Sequence, residues 1–308
     1  MDQAGCSTAL VTPFRADGAV DEEALRNLVE WQIASGIDWL LACGTTAETP
    51  TLTSEEWLRV ITLVASTAAG RVPVWAGATH NSTKAAVERA QAAAAVPGVT
   101  AVLSANPYYN KPGQEGQYQH FRMIAEAIPV PLALYNIPSR AGVNLEPSTV
   151  ARLAEDCPNI HGIKESSGNL SQITEVISLV PRGFSVFAGD DATALATLGV
   201  GGAGLISVAS NVIPTHMRQM VHAALEGDWP TARRINRAYY SLMLANFWEP
   251  SPAPVKALLA HMGRIHETCR LPIVPVSPAT REKLVALADS LGLREEVPAA
   301  NEGHPPAA

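Results

Sequence analysis

The sequence predicts an α/β protein, a (β/α)8 TIM barrel with a C-terminal helical extension, and three observations carry that prediction. Eight short runs rich in Val, Ile and Leu alternate with longer segments of helical period, each pair taking roughly 20 to 35 residues. The runs are apolar at successive positions instead of alternate ones, as parallel strands covered on both faces should be. After the eighth run the chain reads only as helices. An open doubly wound sheet usually stops at about five or six strands, so eight pairs favour closure into a barrel.

The first strand is "STALVTPF", residues 7–14. Asp21 then caps a helix, with Val20 and Leu25 spaced as a hydrophobic staple. The second strand, "IDWLLAC" (37–43), precedes a capping box in "TSEE" (53–56). That box starts a helix carrying Trp57, Val60, Ile61 and Val64, which Gly70 closes. The remaining strands are "VPVWAG" (72–77), "VTAVLS" (99–104), "PLALY" (131–135), "IHGIK" (160–164), "FSVFAG" (184–189) and "AGLIS" (203–207). Helical patterns follow at 216–227, 229–247, 252–263 and 278–292. The predicted organisation is a catalytic barrel over 1–225, a helical domain over 226–293, and a polar, Pro/Ala-rich tail over 294–308 expected to be disordered.

Composition narrows the function. A chain of 308 residues, 47% hydrophobic, is long enough for a substantial core. Its net charge of −7 and pI near 5.6 do not suit a phosphate-binding surface, so neither nucleic acid nor an anionic membrane is an expected partner. The N-terminus, "MDQAGCSTALVTPF", has no basic n-region and no long apolar run. The most apolar window, 194–209, is broken by Gly199, Gly201, Gly202 and Gly204. A soluble, cytoplasmic protein acting on small molecules is expected. Cys6, Cys43, Cys157 and Cys269 are too widely spaced for a Cys-x-x-Cys site and read as buried free thiols. The eight histidines show no ligand spacing, and in "GDD" either Asp190 or Asp191 reads as a helix cap or rim hydrogen-bonder, so no metal is expected.

A parallel barrel builds its site at the C-terminal strand ends. There the sequence places "GTTAE", "NPYYNKP", Tyr135, Lys164, "GDD" and Ile206-Ser207. If Lys164 points inward so does Gly162, with His161 and Ile163 outward; if Tyr135 points inward so does Ala133, with Leu132 and Leu134 outward. A lysine in a closed apolar barrel is costly to keep charged, and a neutral amine there attacks carbonyls to form a Schiff base. The competing reading is an ion pair with Glu165 or Asp190, of which Glu165 is disfavoured because adjacent strand residues face opposite ways. Schiff-base chemistry moves protons, and Tyr135, Thr45 and Tyr109 can form a hydroxyl relay. The "GTT" loop offers backbone N–H groups and the Thr46 hydroxyl to a carboxylate, as an α-keto acid would require. Arg140, in the loop after Tyr135, can clamp a second carboxylate or stand as a solvated charge.

At these residues the sequence resembles the dihydrodipicolinate synthase and N-acetylneuraminate lyase family of pyruvate-dependent class I aldolases. The likeness runs from "ALVTPF" to "RLPIVPVS" and takes in "GTTAE", "NPYYNKP", "YNIPSRAG", "GIKESSGN" and "FAGDDA" in order. The resemblance implies a barrel with a C-terminal helical domain, assembled as a homotetramer. It implies that Lys164 forms the Schiff base with pyruvate, Tyr135 shuttles protons, and Thr46 holds the pyruvate carboxylate. Thr45 and Tyr109 match the rest of the relay, with Tyr109 donated across a subunit interface, and Gly189 and Ile206 match positions lining the pyruvate site. The chemistry so implied needs no cofactor. Arg140, within Pro-Ser-Arg, resembles members that condense pyruvate with L-aspartate 4-semialdehyde to 4-hydroxy-tetrahydrodipicolinate, in the diaminopimelate route to lysine. Sugar-acid lyases of this fold generally lack that arginine. A lyase acting on a sugar acid or other 2-keto acid, and a catalytically silent barrel, are the alternatives.

The chain departs from the family pattern at Ala47, where glycine is usual and where alanine suggests φ below zero. Asn106 and Ala141 also depart, and are expected near the acceptor end of the site. Feedback-inhibited members bind lysine through two histidines and a glutamate. The aligned residues here are Ser54, Trp57 and Ala85, so lysine is expected to inhibit weakly or not at all.

Overall fold

The computed structural model describes residues 4–293, and the tail expected over 294–308 lies outside them. Eight parallel strands close into a barrel in chain order: β1 (Gly5–Ala9), β2 (Trp39–Ala42), β3 (Val74–Gly77), β4 (Val99–Ala105), β5 (Leu132–Asn136), β6 (Ile160–Glu165), β7 (Ser185–Ala188) and β8 (Gly204–Ser207). β8 pairs back onto β1, Ser207 beside Thr8. Seven strands fall on the predicted runs, and β1 is the correction. It ends at Ala9, and residues 10–14 leave the barrel as a buried rim segment. Leu10 N–H donates to Leu41 O (3.0 Å), Val11 N–H to Asn211 Oδ1 (3.2 Å), and Phe14 makes one antiparallel bridge with Val20. Pro13 has no N–H for a ladder.

The helices surround the barrel. Asp21 caps α1 (Glu22–Ala34) by accepting from Ala24 N–H at 3.1 Å. The Thr53/Glu56 capping box starts α2 (Ser54–Ala68), and Ala69 and Gly70 end it in the left-handed region, φ 50° and 74°. Then come α3 (Thr83–Ala94), α4 (Gln114–Glu126), the single turn α5 (Pro138–Ala141), α6 (Pro147–Asp156), α7 (Leu170–Leu179) and α8 (Ala194–Gly199). After β8 the described chain is helical: α9 (Pro214–Leu225), α10 (Trp229–Ala245), α11 (Ala253–His261) and α12 (Pro278–Ser290). No described helix is long and apolar enough to cross a membrane.

Strand alternation divides the core in two. Leu132, Leu134 and Ile163 join the layer between barrel and helices, while Trp39, Trp75, Ala133, Tyr135, Phe187 and Ile206 fill the barrel's inside. Trp39, Trp75 and Phe187 touch mutually, ring centroids 5.4 to 5.7 Å apart, and make an apolar plug. Cys6, Cys43 and Cys157 are buried free thiols and Cys269 is partly buried, as their spacing predicts.

Candidate active site

Register fixes the two central side chains. Tyr135 and Lys164 are direct partners across β5 and β6, with Ala133 beside Gly162 one step below. The small residue beneath each functional one leaves room for it, as the sequence alternation predicts. Lys164 Nζ stands 4.6 Å from the centroid of the Tyr135 ring, and the lysine is 4% exposed. Among the described residues Lys164 makes no hydrogen bond or ion pair. Glu165 faces the other way and is committed there, accepting from Asn136 Nδ2 (3.0 and 3.2 Å), Gln172 Nε2 (3.2 Å) and Ser167 N–H (2.7 Å).

Gly189 has a steric reason. A Cβ there would lie 1.8 Å from Ser166 Oγ and 3.0 Å from both Cγ and Cε of Lys164. Glycine lets the lysine arm and the serine hydroxyl occupy that space. Asp191, next on the rim, is buried and accepts from Ser207 Oγ (2.5 Å), Val208 N–H (3.1 Å) and Ala209 N–H (2.9 Å), which ties the end of β7 to that of β8. Burial pushes its carboxyl pKa up, and those donors pull it part of the way back. The rim hydrogen-bonder read from "GDD" is therefore Asp191.

A cavity of about 240 Å³ opens over Lys164, and Thr45, Thr46, Tyr135, Arg140 and Gly189 share its wall. Thr45 and Thr46 sit on a 3-10 turn, Thr45–Ala47, directly after β2, where the leading N–H groups have no carbonyl within their own turn. The left-handed residues of this loop are Cys43, φ 55°, and Glu48, φ 54°, and not Ala47, in keeping with the alanine. Thr49 Oγ1 steadies the loop from below, donating toward Cys43 O and Gly44 O at 2.9 Å. Arg140 is exposed on α5, and Gly142 at φ 76° ends that turn.

Some expected residues are elsewhere. Ile206 is fully buried in the inner core, and Val208 stands at the cavity wall instead. Tyr109 is 86% exposed, takes φ 74°, and does not reach the cavity within this chain. Asn106 and Ala141 do not line the cavity themselves, but each adjoins a residue that does, Asn106 through its bond to Ile137 and Ala141 as the neighbour of Arg140. Asn106 is buried behind the strands, donating to Gln117 Oε1 (2.9 Å) and Asn136 Oδ1 (3.2 Å) and accepting from Ile137 N–H (3.0 Å). Trp57 is in the core with its Nε1 donating to Gly77 O at 3.0 Å.

Six cavity residues escaped the sequence reading: Ile137 and Ser139 on the way to Arg140, Val208 after β8, and Ser166, Phe247 and Ser251. Ser166 follows Lys164 by two positions, so strand parity could have found it; its Oγ is buried without a partner among the described residues. Phe247 and Ser251 come from the connection between α10 and α11, and no local signal marks them.

Comparison with known proteins decides the family. The profile of the Dihydrodipicolinate synthetase family matches residues 2–291. This chain belongs to that family. Within the family, it is 63% identical over 298 residues to the 4-hydroxy-tetrahydrodipicolinate synthase of Acidobacterium capsulatum, covering 97% of this chain and 99% of that one. The crystal structure of dihydrodipicolinate synthase from Aquifex aeolicus superposes with a TM-score of 0.93 at 40% identity, over 96% of this chain and all of that one. The chloride-inhibited dihydrodipicolinate synthase from Acinetobacter baumannii, complexed with pyruvate, superposes with a TM-score of 0.92 at 40% identity, over 94% and 99% of the two chains.

Proposed function

We propose that this protein is a 4-hydroxy-tetrahydrodipicolinate synthase, a lyase that condenses pyruvate with L-aspartate 4-semialdehyde through a Schiff base on Lys164. The observation that carries the reading is a buried, unpaired lysine amine beside Tyr135 at the wall of the cavity. The name and identity of the Acidobacterium relative support it.

The amine of Lys164 attacks the keto carbon of pyruvate, and loss of water leaves the imine. Thr46 and the turn it sits on hold the pyruvate carboxylate. Removal of a methyl proton gives the enamine, whose carbon attacks the aldehyde of the second substrate. The amino group of that substrate then displaces Lys164, closing the ring and freeing the enzyme. Tyr135 carries protons in these steps, relayed through Thr45 and through Tyr109 of a second copy of the chain. That assignment suits a tyrosine exposed and held at positive φ, and it implies a homo-oligomer, in the family's manner a tetramer. Arg140 binds the acceptor carboxylate. No metal or bound cofactor enters this chemistry. The barrel to residue 225 supplies the lysine, and the helical unit from 226 supplies part of the mouth.

Arg140→Ala tests the acceptor. Turnover with aspartate semialdehyde should fall about 10- to 100-fold through a raised acceptor KM. Pyruvate binding should persist, and an unaffected variant would sink the acceptor assignment. With Ser54, Trp57 and Ala85 at the lysine-site positions, free lysine should inhibit steady-state turnover weakly or not at all, and half-inhibition below millimolar lysine would refute this.

A further inference from the structure

We infer that Glu48 and Lys256 are the positioning pair of the substrate-carboxylate loop, locking the Thr45–Ala47 turn to the C-terminal helices that complete the mouth. The inference rests on the reading above, in which Thr46 holds the pyruvate carboxylate.

Glu48 is the hinge between two short turns. Its N–H donates to Thr45 O at 3.2 Å, and its O accepts from the N–H and Oγ1 of Thr51, both at 2.9 Å. A non-glycine residue at φ 54° is held there by its surroundings, and here the surroundings are the side chain's partners. One carboxylate oxygen takes the ammonium of Lys256, which is fully buried on α11, 208 residues away; the other accepts Arg270 N–H at 2.8 Å. Both oxygens are therefore used by the C-terminal extension.

The far side of the pair is equally fixed. Lys256 Nζ also donates to Thr268 O at 2.9 Å and lies 4.1 Å from the Phe14 ring centroid, on the buried rim segment after β1. Arg270 covers the same ring at 4.3 Å and grips Glu56 of α2 with bonds of 2.6 and 2.7 Å. Ser251, just before α11, and Phe247 stand on the cavity wall with Thr45 and Thr46. One pair thus fixes both walls of the mouth relative to each other. Apolar groups of similar volume often replace a buried ion pair without loss of stability, so stability alone is a weak reason for these charges. A single enforced geometry is the stronger one.

Disturbing the pair should loosen pyruvate binding and leave acceptor binding nearly alone. The test is borohydride trapping of the full-length protein across pyruvate concentrations, with steady-state KM values for both substrates, on Glu48→Asp, Glu48→Gln and Lys256→Met. Glu48→Asp keeps both charges but draws the carboxylate back by one methylene, so it carries the test even if Lys256→Met does not fold. It should raise the half-saturating pyruvate concentration about tenfold, with the acceptor KM within about twofold and the adduct still on Lys164. Glu48→Gln, which keeps the length but removes the counter-charge of Lys256 and one of the two acceptor oxygens, should raise it at least as much. Wild-type trapping with unchanged pyruvate dependence in folded Glu48→Asp, or equal rises in both KM values, overturns the inference alone. A wild-type protein that gives no adduct overturns the Schiff-base reading and this inference with it.

Discussion

At the C-terminal ends of β5 and β6, inward and outward side chains one residue apart meet opposite conditions. Outward, Asn136 and Glu165 join Asn106, Gln117, Asn144 and Gln172 in a buried network of amide and carboxylate bonds. Inward, Lys164 has no polar partner among the described residues and Ser166 Oγ is buried without one. An unmet buried polar group costs about 1–3 kcal/mol. At these two strand ends that cost falls on the face with the cavity. Satisfied polar groups here are scaffold, and unsatisfied ones mark where a ligand completes the bonding.

The largest break in that contrast is on the inward face. Lys164→Ala should take turnover to the assay floor and abolish the pyruvate adduct without lowering the melting temperature, because it relieves a buried amine of its surroundings. Tyr135→Phe, which keeps the ring in the inner core, should lower kcat about 100- to 1,000-fold with stability retained. A large loss of stability in either would mean that the inward groups are scaffold too.

Asn136→Leu probes the outward face. It removes two bonds to Glu165, one to Asn144 and the acceptor for both Leu145 N–H and Asn106 Nδ2. Denaturant unfolding should show a loss of about 2–4 kcal/mol, with Lys164 still trapped by pyruvate in the folded fraction. Full stability with lost activity would reverse the roles of the two faces.

A comparable effect, spread over a pH range, concerns acid. Buried His120 bonds Thr83 Oγ1 through Nδ1 (2.9 Å), and burial, helped by the charge of His80, lowers its pKa from 6.5 to about 4. A lowered histidine pKa means that the unfolded chain binds a proton the folded one refuses between those values. Stability from this group is thus complete above pH 6.5 and declines by roughly 3 kcal/mol on the way down to pH 4. His120→Asn should flatten that slope in urea titrations, and an unchanged slope would show that other groups set it.

Most of the barrel is legible in the sequence because buried parallel strands are continuous apolar runs, and side-chain parity then places Lys164, Tyr135, Ala133 and Gly162 correctly. The same signal misled at 10–14, since a buried rim segment has the composition of a strand. That the Asn106 side chain faces the helix layer, bonding Gln117 and Asn136, is not encoded in its motif. Glu48 meeting Lys256, and Phe247 with Ser251 reaching the mouth, depend on packing between segments some 200 residues apart in the chain, and no local pattern encodes that. Tyr109 had a motif but no single-chain destination.

The account turns on one amine. The most direct measurement is intact mass and peptide mapping after borohydride treatment with pyruvate. The account predicts one reduced pyruvyl group per chain, carried by the peptide containing Lys164. No added mass, or a label carried by a different lysine, would contradict it.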